Sequence, residues 1–60
     1  MNAITKDAIE RCRAGFSPSD ATALAVMGKP VTPEAIRRIE TIVTADLARC
    51  ERERAERRAA

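Results

Sequence analysis

Histidine, tryptophan and tyrosine are absent from this sequence of 60 residues, and Phe16 is its only aromatic residue. Without histidine or tyrosine, a catalytic general base would have to be a carboxylate or a lysine, and the acidic residues occupy ordinary helix-surface positions. Without further aromatic residues, the chain has no platform on which the bases of single-stranded RNA could stack. We therefore expect a protein that is not an enzyme, acts on no small-molecule substrate and carries no cofactor.

Cysteine is scarce too, since only Cys12 and Cys50 are present, and two thiols without histidine are too few for a structural zinc site. Both fall on the apolar sides of predicted helices. We interpret them as buried small hydrophobic residues in a reducing compartment, the alternative being an intramolecular or intersubunit disulfide. No secretory hydrophobic region and no run of about 18 apolar residues are present, which favours a soluble, cytoplasmic protein that does not enter a membrane.

Large apolar side chains are few. Of 27 apolar residues, 12 are alanine, and the substantial core formers are one Phe, two Leu, five Ile and three Val. Even fully buried, these eleven side chains contribute only about 1.5–3 kcal/mol each. Ordering the chain costs roughly 1.5 kcal/mol per residue. We therefore expect part of the stability to come from a second copy of the chain or from another partner.

Three helices are predicted, and the first two have clear local boundaries. The first runs from about Asn2 or Thr5 to Ala14, with Gly15 as its C-terminal stop. The second begins with Ser17 as N-cap, followed by Pro18 at its first position, and ends at Gly28. The residues of the second helix expected to face inward are Ala21, Leu24, Ala25 and either Val26 or Met27.

The third predicted helix is the longest and has the most regular apolar pattern. Thr32 is a suitable N-cap, Pro33 fits the first helical position, and Val31 and Ile36 have the spacing of a hydrophobic staple. Apolar residues then recur at three- and four-residue steps, which is typical of one side of an α-helix. They are Ile36, Ile39, Val43, Leu47 and Cys50.

These signals predict an all-α fold, a small three-helix domain in which two short helices pack against the first half of a long C-terminal third helix.

The charge distribution changes within the third predicted helix. Residues 1–48 carry six basic and six acidic residues, whereas residues 49–60 carry five arginines and three glutamates, the whole of the net charge of +2. We assign residues 1–50 to the domain and residues 51–60 to a charged helical extension or a frayed tail.

The apolar band of the third helix is the first candidate functional surface. Ile39, Ile42, Val43 and Leu47 make it broad enough to serve the chain's own core on one flank and a second helix on the other. The alternative is that the first two helices cover the whole band. The sequence therefore favours a small regulatory or adaptor protein that binds a partner protein or itself, as a homodimer.

A helix-turn-helix regulator of DNA is the alternative function. In that interpretation the third helix lies in the major groove. Glu34 and Glu40 would repel phosphate, Pro30 lies in a connection that is longer than a tight turn, and residues 1–48 have no net positive charge. The adjacent Arg37 and Arg38 are explained equally well as part of an ordinary solvent-exposed helix face. The residues that would contact DNA are Thr32, Arg37, Arg38 and Thr41.

Phe16 lies between the first two predicted helices. We interpret it as a core residue that closes the corner between them, and an exposed anchor for a partner's pocket is the alternative.

Overall fold

Three α-helices make up the computed structural model, which describes residues 2–59. The helices are α1 (Ala3–Arg13), α2 (Pro18–Val26) and α3 (Pro33–Ala59). Each helix contacts both others, and no strand occurs among the described residues. The predicted all-α, three-helix fold with a long third helix is therefore confirmed. The molecule measures 45 × 18 × 17 Å, and α3 accounts for most of the longest dimension because a helix rises about 1.5 Å per residue.

Each helix begins at a side-chain N-cap that satisfies a backbone N–H left free in the first turn. The Asn2 side-chain oxygen accepts a hydrogen bond from the Thr5 amide at 2.8 Å. The Ser17 hydroxyl accepts one from the Asp20 amide, and the Thr32 hydroxyl one from the Ala35 amide, both at 3.2 Å. The predicted N-caps Ser17 and Thr32 are confirmed.

The ends of α1 and α2 depend on the chain's two glycines. Gly15 has a φ of 124° and Gly28 a φ of 73°, values that a side chain would disfavour. After α1, the Gly15 amide donates to the Cys12 carbonyl and the Phe16 amide to the Arg11 carbonyl, which is the pairing of a Schellman motif. These bonds stop α1 and turn the chain towards α2.

The core is formed mostly by small side chains. Three of its members, Ala8, Ala21 and Ala25, are alanines without exposed surface, which lets the helices approach closely. Thr5 and Thr22 are also buried, although the apolar pattern did not predict them. Thr22 is tolerated there because its hydroxyl donates to the Pro18 carbonyl at 2.8 Å. The remaining core residues are Ile9, Cys12, Ile39 and Val43, with Ile4, Val26 and Leu47 packed at the edge.

Phe16 does not close the corner between α1 and α2, so the preferred interpretation of this residue was wrong. Its side chain is 46% exposed. The Schellman motif places it in the position that normally packs against a residue one turn or more back in the helix. Those residues here are Glu10 and Arg11, so this position of the motif offers the ring no apolar partner. Of the two residues predicted as alternatives for the inward side of α2, Val26 packs at the edge of the core. Met27 points outward and is 69% exposed.

Residues 51–59 continue α3 as an exposed helix. Of the two forms expected for this segment, the helical one is present up to Ala59. Met1 and Ala60 lie outside the described residues. Among residues 2–59, no helix is both long enough and apolar enough to cross a membrane.

Candidate interaction surface

The predicted apolar band on α3 is split by the packing of α1 and α2. Ile39 and Val43 are 5% and 0% exposed, so they belong to the core and are closed to a partner in the folded chain. This corrects their assignment as interface residues. Leu47 packs at the edge of the core, and Ile42 is 37% exposed. Only Ile42 and Leu47 therefore reach the surface.

Ile42 lies in a groove between α1 and α3 with a volume of about 420 Å³. Ile9 of α1 and Ile42 and Ala45 of α3 provide its apolar part. Arg49 and Arg52 line it further along α3. We call this surface the Ile42 groove.

A second groove, with a volume of about 450 Å³, lies where the corner between α1 and α2 meets α3. Phe16 and Leu47 line it together with both cysteines, and Arg54 is also part of its wall. We call it the Phe16 groove. The only aromatic residue of the chain and one residue of the predicted band are thus brought together by the fold, which sequence spacing alone did not reveal.

Asp46 joins α1 to α3 and lines both grooves. Its two carboxylate oxygens accept hydrogen bonds from Arg13 Nε at 3.1 Å and Arg13 Nη2 at 3.0 Å. Arg49 Nη2 donates to the same carboxylate at 2.6 Å. The hydrogen bonds from Arg13 are the largest cause of the lowered pKa of Asp46, and the positive charges of Arg13 and Arg49 add to it against the opposing effect of burial.

The pairing of Arg13 with Asp46 was not predicted from the sequence. The two residues are 33 positions apart, and no local pattern connects them. The sequence does contain a local signal for the second ion pair of Asp46, because Asp46 and Arg49 have the i,i+3 spacing of neighbours on a helix. A carboxylate among the apolar residues of α3 is explained by these two arginines, because a half-buried charge needs partners.

Both cysteines line the Phe16 groove and are free thiols. Cys12 is buried, as predicted, whereas Cys50, which was also predicted to be buried, is only half-buried. Burial raises the pKa of the Cys12 thiol, and the negative charges of Asp46 and Glu51 raise it further. Cys50 donates a long hydrogen bond from its sulfur to Asp46 Oδ2, at 3.9 Å. Cys12 is therefore a protonated thiol at neutral pH, unlike an activated nucleophile.

The predicted DNA-contacting residues Thr32, Arg37, Arg38 and Thr41 are all exposed. Arg37 and Thr41 lie together in a shallow depression of about 690 Å³ along α3, where Glu40 is also present. The Thr32 hydroxyl accepts the capping bond of α3, and the Thr41 hydroxyl donates to the Arg37 carbonyl at 2.9 Å. Both hydroxyls thus have partners within the chain.

Metal binding has no geometric support in the part of the chain that the structure describes, where no three Cys, Asp or Glu side chains form a group able to hold an ion. Comparisons with protein-family models, curated proteins and solved structures return no match. The functional conclusion therefore depends on the grooves themselves.

Proposed function

We propose that this chain is a small, non-enzymatic regulatory or adaptor protein that binds a partner protein through helix faces. The observation that carries the proposal is the Ile42 groove, where an isoleucine is 37% exposed beside Ile9 and Ala45 at a seam between two helices. Exposed large apolar side chains in a concave surface are typical of sites that bind other proteins.

The charges at this groove favour an acidic partner. Asp46 is offset by Arg13 and Arg49, and Arg52 adds a further positive charge. An amphipathic helix with an apolar side chain for the groove and carboxylates opposite the arginines would complement both features. A homodimer is the other form of this function, and the experiment below distinguishes the two.

The proposal is tested with Ile42→Asp, which places a charge in the groove. Thr44→Asp is the matched control, because Thr44 is also exposed on α3 but does not line either groove. In a pull-down from an extract of the source cell, we expect the wild type and Thr44→Asp to retain partner proteins that Ile42→Asp does not retain. The circular dichroism spectra of all three proteins should be the same. Sedimentation of the same three proteins reports on self-association.

Two results would count against this function. In the first, all three proteins retain the same partner proteins in the pull-down and have the same mass by sedimentation. The other is equal loss with Ile42→Asp and Thr44→Asp, which would mean that the groove has no special role.

DNA binding is the second candidate, favoured by the exposure of Arg37, Arg38 and Thr41 on α3. Replacing Arg37 and Arg38 by alanine should abolish a duplex mobility shift whose affinity falls steeply with salt. Replacing Arg57 and Arg58 by alanine removes the same charge from the exposed end of α3 and is the matched control. If the wild type does not shift duplex DNA at low salt, this candidate is excluded.

A further inference from the structure

The two cysteines come from opposite ends of the sequence but belong to one site. Cys12 is in the last turn of α1 and Cys50 is in α3. Both line the Phe16 groove. From the sequence, both were interpreted as buried small hydrophobic residues, with an intramolecular or intersubunit disulfide as the alternative.

An ion pair joins α1 to α3 at the residue that follows Cys12 and close to the sulfur of Cys50. Arg13, which follows Cys12, donates from Nε to Asp46 Oδ2 at 3.1 Å. The sulfur of Cys50 lies 3.9 Å from that same oxygen. Arg13, the chain neighbour of Cys12, and the sulfur of Cys50 thus contact the same carboxylate oxygen. Cys12 itself is buried and lines the same groove as Cys50.

We propose that Cys12 and Cys50 form a dithiol site that a peroxide oxidises to an intramolecular disulfide, which links α1 to α3. The proposal is independent of the proposed binding function, because it depends only on the thiols and on the packing around them. No metal is required, and the oxidant is a small molecule that can enter an open groove of about 450 Å³.

Exposure determines the order of the two steps. Cys50 is half-buried and Cys12 is buried, so the Cys50 sulfur meets the peroxide first. The sulfur attacks one peroxide oxygen, the O–O bond breaks, and the thiol proton leaves with the other oxygen as water. Cys50 is then a sulfenic acid.

In the second step the sulfur of Cys12 attacks the sulfur of the sulfenic acid. The S–S bond forms, the S–O bond breaks, and the hydroxyl leaves with the proton of Cys12 as a second water molecule. Two thiols have then lost two electrons and the peroxide has accepted them. This step is slow at neutral pH, because the raised pKa of Cys12 keeps its thiol protonated, and it accelerates as the pH rises.

The disulfide is expected to stabilise the fold, because it closes a long loop of the unfolded chain. For a domain of this size, the thermal midpoint should rise by about 10 °C or more.

The experiment treats the wild-type protein with equimolar hydrogen peroxide, blocks remaining thiols with an alkylating agent and measures the intact mass. We expect a monomer that has lost two hydrogen atoms, takes up no alkylating agent and recovers both thiols after reduction. The Cys12→Ala variant should stop at a sulfenic acid on Cys50, which a dimedone probe traps. Cys50→Ser should retain an alkylatable Cys12.

Each other outcome overturns the proposal. A disulfide-linked dimer would show that the sulfurs meet only between molecules. Two alkylated cysteines would show that the peroxide does not oxidise Cys50. A wild-type Cys50 that gains two or three oxygen atoms would show that Cys12 does not reach its sulfenic acid. None of these measurements uses the partner protein, so failure here is distinct from failure of the binding function.

Discussion

Residues 33–50 of α3 pack against α1 and α2, whereas residues 51–59 of the same helix are exposed throughout. The first part contains β-branched residues such as Ile39, Ile42 and Val43, which have moderate helix propensity and gain from burial. The second part consists only of Glu, Arg and Ala, which are strong helix formers. One continuous helix is thus stabilised by tertiary packing in its first part and by local propensity in its last.

The largest expected effect tests the packed part. Ile39→Ala should lower the free energy of unfolding by about 2–5 kcal/mol, because it removes a buried side chain and leaves a cavity. Ile42→Ala, three residues further on, should cost less than half as much, since its side chain already contacts water. Urea denaturation followed by circular dichroism measures both. Equal losses would contradict the division of the apolar band.

A smaller effect is expected at the ion pair that joins α1 to the packed part of α3. Asp46→Asn should reduce the stability at pH 7 by weakening the bonds from Arg13 and Arg49. Because the pKa of Asp46 is lowered from its ordinary value of 3.8 in the folded state, its contribution is present above that value and is lost as the pH falls through the native pKa. The difference between wild type and variant should therefore shrink in acid.

Asp7→Asn is the control for this measurement. Asp7 accepts a hydrogen bond from Arg11 at 3.1 Å, but both residues are in α1 and the pair spans a single helical turn. Its loss should change the stability by only a few tenths of a kcal/mol. A pH-independent difference for Asp46→Asn would show that the carboxylate charge is not what joins the helices.

The smallest effect is expected for the exposed part. A chain that stops after Cys50 should lose helical signal in proportion to the number of residues removed. Its thermal midpoint should stay within a few degrees of that of the full chain, which corresponds to a change of roughly 1 kcal/mol or less in the free energy of unfolding. The exposure of residues 51–59 is the reason. A cooperative loss of all helical signal would show that the end of α3 stabilises the fold.

Much of the fold could be predicted from the sequence because the controlling interactions are local. Ser17 and Thr32 bond to amides three residues later, and Gly15 and Gly28 allow backbone angles that other residues disfavour. Periodicity identified Ile39 and Val43 as apolar positions on one side of α3. It did not identify Thr22, whose buried hydroxyl is satisfied within its own helix.

Much less of the candidate site could be predicted. Periodicity placed Ile39, Ile42 and Val43 in one band, but the degree of burial along that band depends on where α1 and α2 cross α3. The predicted position of Phe16 was wrong because the chain direction after Gly15 depends on the hydrogen bonds that end α1.

The sequence by itself determined three helices, their caps and the charge of the last segment, because each depends on residues within about one turn of one another. Only the tertiary structure decided that Ile42 and Phe16 face solvent, that Arg13 holds Asp46 and that both cysteines share a groove. These features depend on how whole helices are placed against each other. That placement results from many weak contacts across the chain, and no short stretch of sequence encodes it.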